Sequence, residues 1–457
     1  MMAAPELTES AAVAAAAPTP RRKLRRVMLA IALATPVLVL ALWIAVNRIE
    51  WLGPLVANSL RAVIGKENVA SLEDFAYGIQ DRVMRYWRKG EKPKAYWSVP
   101  PATSSAPATA PSADPSTSTI APAQSKVEGL APFHLEPVGS VHKHWAAPGD
   151  GEWLPIPDVD HPGSPIRMLK TLIHPDKQRS WAELFVVALD LRTVQIEMVP
   201  GRREPEATEE AAKTMVRPGR IPAQHEAEVL AAFNGGFMTQ HGNYGMKLGD
   251  LLIVGPQPTV CTVARYKDGT MRVASWPLLK DTEAQMVWWR QTPNCMYENG
   301  QLNSFLKEGR VKKWGATLDG ETVIRRSAIG ISADNQVLFV GITNHTTAPA
   351  IALGMQHAGA VTVAQLDINY SYPKFVTFEK NPESGQRNAI ALASGFEFSE
   401  NEFIRKGALR DFFYVMPKNP TAASAAPTAN SAAPSSSAAP NNSAAPSGSA
   451  PAQTPTP

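Results

Sequence analysis

Ala231-Ala232-Phe233-Asn234-Gly235-Gly236-Phe237-Met238 is a short apolar strand that runs straight into an asparagine and two glycines. Asn and Gly tolerate positive φ, so the chain turns sharply there and another group can approach its backbone closely. A plain Asn-Gly hairpin turn is the simpler reading of the same residues. A second stretch has the same shape. Gly359 to Asp367 carries Val363-Ala364-Gln365-Leu366 into a carboxylate. At the C-terminal edge of a sheet that carboxylate would stand where open α/β sheets bind ligands. As an ordinary strand-end Asp it would only cap a loop.

Around these two stretches, strand signals dominate. Phe185–Leu189 is a continuous apolar run, the pattern of a strand buried on both faces. Val194, Ile196 and Met198 alternate with Gln195 and Glu197, as in a half-buried strand. Val229–Phe233, Thr262–Tyr266, Met271–Ala274, Ile329–Ile331, Val337–Ile342 and Phe412–Met416 add further strands, with Asp268-Gly269 as a hairpin turn. Helical patterns are fewer: Ala207–Val216, and Ala348–His357 with Ile351 and Met355 at i,i+4. The expected fold class is α+β, a strand-dominated mixed sheet with packed helices, preceded by one N-terminal transmembrane helix.

The flanks of this region read differently. Arg21, Arg22, Lys23, Arg25 and Arg26 close a basic N-terminus, residues 1–26, and an uncharged apolar run follows from Val27 to Val46. Twenty residues at ~1.5 Å rise match a hydrocarbon core of about 30 Å. The basic cluster predicts a cytoplasmic N-terminus, with everything after residue 46 translocated. Trp43 and Trp51 fit an aromatic belt, and no small-residue cleavage site follows the run, so an uncleaved anchor is expected over a signal peptide. Residues 47–98 form an amphipathic helical stalk, either lying on or near the membrane or packing on the chain's own domain. Residues 99–126, rich in Ala, Pro, Ser and Thr, and residues 417–457, with repeated Ser-Ala-Ala-Pro variants, bury too little apolar surface to offset ordering entropy and read as tether and tail. That leaves 127–416 as the globular domain, periplasmic or extracellular.

A net charge of +4 with no basic stripe excludes a nucleic-acid partner. Two cysteines, Cys261 and Cys295, would pair in an oxidising compartment or stand as two buried thiols. His142-Lys143-His144 is the only close histidine pair and reads as a solvated loop, so no metal and no cofactor are expected.

Four segments, taken in order, resemble the phosphodiester glycosidase family, that of the lysosomal uncovering enzyme, which removes N-acetylglucosamine from a sugar phosphodiester. Ala232–Met238 is similar to its Asn-Gly-Gly-Phe-Phe turn, and Arg326-Ser327-Ala328-Ile329-Gly330 to its Arg-Thr-Ala-Ile-Gly segment. Its helix, Gly-Ala and strand ending in Leu-Asp look like Ala352–His357, Gly359-Ala360 and Gln365-Leu366-Asp367. Its late Arg before an apolar strand looks like Arg387-Asn388-Ala389-Ile390-Ala391-Leu392. The resemblance spans about residues 184–416 and implies hydrolysis of a sugar from a phosphodiester on an envelope glycan or glycoconjugate. It implies Arg326 on the phosphate, Asp367 as the carboxylate, and Asn234 positioning the ligand beside the Gly235 and Gly236 backbone. Arg387 and Ser371 complete the contacts it implies, and Asn369 and Tyr370, which stand where the family has glycine, are substrate-binding candidates by their own chemistry. Arg325, next to Arg326, should point to the opposite face of a strand.

After Leu-Asp the family continues Gly-Gly-Gly-Ser-Ser, whereas this chain reads Ile368-Asn369-Tyr370-Ser371-Tyr372. Ile at a left-handed position costs ~1–2 kcal/mol, and the larger side chains fill space where sugar or phosphate would sit. A domain that kept the fold for binding or scaffolding, with Tyr370 and Tyr372 stacking on a sugar and Asp367 and Asn369 bonding its hydroxyls, is the alternative.

Overall fold

The computed structural model describes residues 63–98, 130–143, 145–315 and 322–418, with a few isolated positions before residue 60. The linker 99–126, the tail beyond 418 and most of the apolar run 27–46 lie outside the described residues. No helix among the described residues is long and apolar enough to cross a membrane.

In chain order the strands are β1 (Leu154–Ile156), β2 (Met168–Ile173), β3 (Leu184–Asp190), β4 (Val194–Val199), β5 (Ala231–Asn234), β6 (Met246–Leu248), β7 (Leu251–Val254), β8 (Cys261–Tyr266), β9 (Met271–Ser275), β10 (Met286–Thr292), β11 (Tyr297–Glu298), β12 (Gln301–Leu302), β13 (Arg326–Ile331), β14 (Val337–Thr343), β15 (Thr362–Ile368), β16 (Phe375–Lys380), β17 (Arg387–Ala391) and β18 (Phe412–Pro417). They form one sheet in the order β1-β2-β3-β14-β13-β15-β11-β12, a second in the order β17-β16-β5-β18-β4 and a third in the order β7-β6-β10-β8-β9. Two α-helices exceed four residues among those described: α1 (Lys66–Trp87) and α2 (Ala348–His357).

Strand alternation explains the layering. In β3, Phe185, Val187 and Leu189 face one core while Leu184, Val186 and Ala188 face another, so the strand is buried on both sides, as its unbroken apolar run predicts. The first core joins the first sheet to Ala231 and Phe233 of β5, Phe413 and Val415 of β18, and Val263, Val273 and Trp288 of the third sheet. The second core is capped by Ile351, Ala352 and Met355 of α2. The first sheet is thus sandwiched between a helix on one face and the two smaller sheets on the other.

The expected mixed sheet is corrected: every pairing between these strands is antiparallel. The reason lies in α2. It carries the chain from β14 back to the start of β15, the kind of crossover that makes parallel neighbours. Here β13 lies between the two strands and pairs antiparallel with both. Ala348–His357 is helical as predicted, with Thr347 accepting from the Ala350 N–H at its N-cap. Gly359, at φ +114, then turns the chain into β15. Of the helix expected over Ala207–Val216, only Glu210–Lys213 forms. Cys261 and Cys295 are joined in a disulfide.

The second half of α1 is docked on the domain. Asp81, buried on its inner face, accepts from the Nε and Nη2 of Arg179 at 2.7 and 2.8 Å, and Arg179 Nη1 donates to Asp176 at 3.0 Å. Burial opposes ionisation of Asp81, but Arg179 and His345 outweigh it and hold the carboxyl well below the usual range. Beyond α1, Trp97 packs against the first core and Tyr96 donates to Ser394 at 2.9 Å.

Candidate functional site

The site grows from the end of β5. Asn234 is fully buried, and each polar atom of its side chain is used: Nδ2 donates to Ser327 Oγ at 2.8 Å and to the Gly235 carbonyl at 2.9 Å, and Oδ1 accepts from the Lys374 N–H at 3.1 Å. Asn234 therefore pins the turn to β13 on one side and to the segment entering β16 on the other. The two glycines are required by close approach. A Cβ at Gly235 would overlap the Asp411 carboxylate, and one at Gly236 would lie 3.1 Å from Arg290 Nη2.

Asp367 arrives from β15 by way of a bulge. Ser327 pairs with Asp367 but Ala328 pairs with Gln365, so Leu366 is an extra residue in the ladder. On one face the Gln365 side chain meets Arg326; the Asp367 side chain meets Arg410 instead. Simple alternation would send Gln365 and Asp367 the same way. The bulge separates them, and Ser327 Oγ holds the Asp367 N–H at 3.2 Å.

Four charged groups then meet. Arg290 of β10, only 1% exposed, donates through Nε to Asp411 Oδ2 at 2.9 Å, and Asp411 Oδ2 also accepts from the Gly236 N–H at 3.1 Å. The remaining Arg290 nitrogens donate to the carbonyls of Tyr244, Gln291 and Phe237. Next to Asp411, Arg410 is ion-paired with Asp367 Oδ2, and its guanidinium lies 4.4 Å from the centre of the Tyr372 ring. The Tyr372 hydroxyl donates to the Asp411 carbonyl, which also accepts from the Gly235 N–H at 2.9 Å. Burial pushes the Asp367 carboxyl up to about 7 against the pull of Arg410, and the neighbouring Asp411 charge adds to the rise. Burial, with Asp411 beside it, also raises Tyr372 well above its ordinary value, so its hydroxyl stays a donor. Burial alone would lower Arg410, but Asp367, Tyr372 and Asp411 reverse the sign and keep it charged. Chemically this is a carboxyl poised to exchange a proton near neutrality, beside a fixed cation that keeps 17% of its side chain exposed.

No protein-family model matches the chain, and no curated protein matches it. Among solved structures it is similar to the zebrafish N-acetylglucosamine-1-phosphodiester alpha-N-acetylglucosaminidase catalytic domain, auto-inhibited by its pro-peptide. The identity is 16% and the TM-score 0.33, over 58% of this chain and 88% of that one. It is also similar to a hypothetical protein from Synechocystis, at 10% identity and a TM-score of 0.32, over 55% of this chain and 62% of that one.

The sequence-predicted residues divide sharply. Asp367, Gly235 and Gly236 belong to the cluster. Arg326 does not: it is fully buried on the face opposite Ser327, where its nitrogens donate to the carbonyls of Trp314, Thr322 and Thr346 and to Gln365 Oε1. Its expected place on the phosphate is corrected on this ground, since those oxygens occupy its donors inside the second core. Arg387 is also elsewhere, donating to the carbonyls of Ala227, Val229 and Phe378 and pairing with Asp160 at 3.0 Å. Asn369 folds its own loop, with Oδ1 accepting from the N–H and Oγ of Ser371 at 2.9 and 3.1 Å. Tyr370 is exposed, and Arg325 reaches it. The Arg325 guanidinium lies 4.8 Å from its ring and 4.6 Å from that of Phe396, and donates to the Tyr370 and Gly395 carbonyls. Three residues escaped the sequence reading: Arg290, Arg410 and Asp411. Arg290 was detectable as a charge inside the apolar, aromatic run Met286–Thr292, and Arg410-Asp411 as a charged pair directly ahead of the Phe412–Met416 strand.

Proposed function

We propose that this chain is a membrane-anchored envelope hydrolase that releases a sugar joined through its anomeric carbon to a phosphodiester. The observation that carries this reading is the Asp367–Arg410 pair, a buried carboxyl raised to about 7 beside an arginine whose side chain is 17% exposed. Water adds to the anomeric carbon, and the glycosidic C–O bond breaks with its electrons leaving on the phosphate oxygen. The water proton passes to ionised Asp367, which returns it to solvent after the free sugar and the phosphate monoester depart. Arg410, whose planar fork suits two phosphate oxygens, offsets the charge on the leaving group. Asn234 and the buried Arg290–Asp411 pair hold the turn and the carboxyl in place without touching substrate.

The envelope location is supported by the basic cluster ahead of the apolar run 27–46 and by the Cys261–Cys295 disulfide, a bond that persists in oxidising compartments. A second reading, a glycan-binding or scaffold domain without turnover, is favoured by one observation: Asp367 keeps only 2% of its side chain exposed, with Tyr372 held close by through the Asp411 carbonyl.

The test uses the full chain in detergent micelles. It is incubated with UDP-N-acetylglucosamine and with p-nitrophenyl phosphodiesters of several sugars, beside Asp367→Asn and Arg410→Ala. Hydrolysis requires sugar release that disappears in the first variant and weakens at least tenfold in the second, about 1.4 kcal/mol of transition-state stabilisation. Sugar binding by a folded chain with no release across the panel would leave the binding reading in its place.

A further inference from the structure

The helix α1 carries a face that its own domain leaves uncovered. Its inner side is fixed by Asp81 and the Arg179 ion pair. At ~100° per residue, Leu72, Phe75, Ile79, Val83 and Tyr86 fall within about 80° of one another on a different side. All five are exposed, Phe75 to 60% and Tyr86 to 80%, and Trp87 beside them to 82%. A soluble helix ordinarily hides such a stripe.

Three features identify what covers it. Arg82 and Lys89 flank the stripe along one edge, and Lys92 follows the helix, while Lys94 is paired with Glu91 at 2.8 Å, so the face is apolar with a basic margin. The exposed end of the stripe is Tyr86-Trp87, the two residue types that settle at a membrane–water interface. Only nineteen residues, 47–65, separate α1 from the apolar run Val27–Val46. Those residues reach at most about 65 Å even when fully extended, and about 28 Å as helix. They carry Leu55, Val56, Leu60, Val63 and Ile64 at helical spacing in the sequence, leading into the α1 stripe.

We infer that α1 lies flat in the headgroup region of an anionic bilayer, with Leu72, Phe75, Ile79, Val83 and Tyr86 toward the acyl chains and Arg82 and Lys89 toward lipid phosphates. The inference rests on the membrane-anchor reading and deepens it. The anchor alone would leave the domain on a loose leash, whereas α1, clamped to the domain through Asp81 and Arg179, fixes which side of the domain faces the bilayer. A second copy of the chain is the less suitable occupant, because pairing two such faces would bring two Arg82–Lys89 edges together without compensating acids from the stripe.

The experiment uses full-length protein reconstituted into phosphatidylglycerol vesicles, with phosphatidylcholine vesicles as the neutral arm. Cys261 and Cys295 are bonded to each other, so a single Ile79→Cys carries a nitrobenzoxadiazole label, and Lys267→Cys on the β8–β9 turn is the control. Sedimentation with vesicles reports the anchor, and quenching by spin-labelled lipid reports α1. The expected result is quenching at position 79 at least roughly twofold greater than at 267, stronger in the anionic vesicles. A chain that sediments with equal, low quenching at both positions refutes the placement of α1 and leaves the anchor standing. A blue-shifted label that lipid does not quench, with 79–79 crosslinks when the unlabelled Ile79→Cys chain is oxidised, assigns the face to a second copy and also overturns the inference. A chain that fails to sediment refutes both.

Discussion

Replacing Asp411 by alanine tests the idea that the cluster is one buried unit. The Asp411 carboxylate takes the Arg290 Nε at 2.9 Å, the Arg290 Nη2 at 3.4 Å and the Gly236 N–H at 3.1 Å, and both side chains are 1% exposed. Removing one partner of a buried pair costs about 3–5 kcal/mol, because the other charge is left without compensation. Arg290 keeps three carbonyl acceptors, from Tyr244, Gln291 and Phe237, which places the loss near the lower end, ~3 kcal/mol. For a domain of this size each kcal/mol moves the melting temperature by about 2–4 °C, so Asp411→Ala should melt ~6–12 °C lower. Tryptophan fluorescence is a suitable readout, since Trp288 and Trp289 are buried beside Arg290 on β10. Arg290→Met should be similarly harmful, while the double variant should lose less than the sum by about 1–3 kcal/mol, because it leaves no orphaned charge. Singles that shift melting by less than a degree, or a double variant that is strictly additive, would refute the reasoning.

Arg326→Met should lower stability by roughly 3 kcal/mol, because it strands buried carbonyls and Gln365, yet leave the KM for any phosphodiester unchanged; a raised KM at intact stability would return Arg326 to the site. Gly236→Ala brings a Cβ to 3.1 Å from Arg290 Nη2 in a group already bonded on every side, and a loss of about 1–3 kcal/mol is expected on denaturant titration; a neutral result would show that the turn can relax. Because burial raises Asp367 in the folded chain, the native state holds that proton more tightly than the unfolded chain between about pH 4 and 7. Its contribution to stability is therefore present below that window and lost as pH rises through 7, and Asp367→Asn should flatten this part of the stability profile.

The central strands of the first sheet were legible because Phe185–Leu189, Ile329–Ile331 and Val337–Ile342 are continuous apolar runs buried on both faces. The helix Ala348–His357 was legible from its period. The third sheet was less so: β10 mixes Trp288 and Trp289 with Arg290 and Gln291, and its polar residues are buried by partners that no local pattern announces. The same holds for the site. Arg290 meets Asp411 across 121 positions and Asp367 meets Arg410 across 43, so motif reading found Asp367 but missed its partner and both members of the other pair. Alternation correctly put Arg325 and Arg326 on opposite faces. Which face Asp367 takes depends on one bulged residue, Leu366, and periodicity does not see a bulge.

The Asp367–Arg410 pair has a consequence for how pH and ligand act together. In the free chain Arg410 is the largest of the influences, with the Ile368 N–H and Arg290, that hold the Asp367 titration down to about 7 against burial and Asp411. A phosphodiester that engages the Arg410 guanidinium draws off part of that cation and adds a negative charge of its own nearby. Both changes disfavour ionised Asp367, so its titration must move upward when the ligand binds. Binding should then take up a fraction of a proton near neutral pH, and tighten as pH falls through that range. If Asp367 in its ionised form accepts the water proton, kcat/KM reports the free chain and kcat reports the complex. The rising limb of kcat/KM should therefore lie near pH 7 and that of kcat at higher pH, a separation measurable by profiling both over pH 5 to 9 with a chromogenic phosphodiester, roughly the range that brackets the two limbs. Coincident limbs, or a kcat limb at lower pH, would mean that the ligand does not use Arg410, and the cation that meets the phosphate would have to be sought elsewhere, with Arg325 beneath the exposed Tyr370 the next to test.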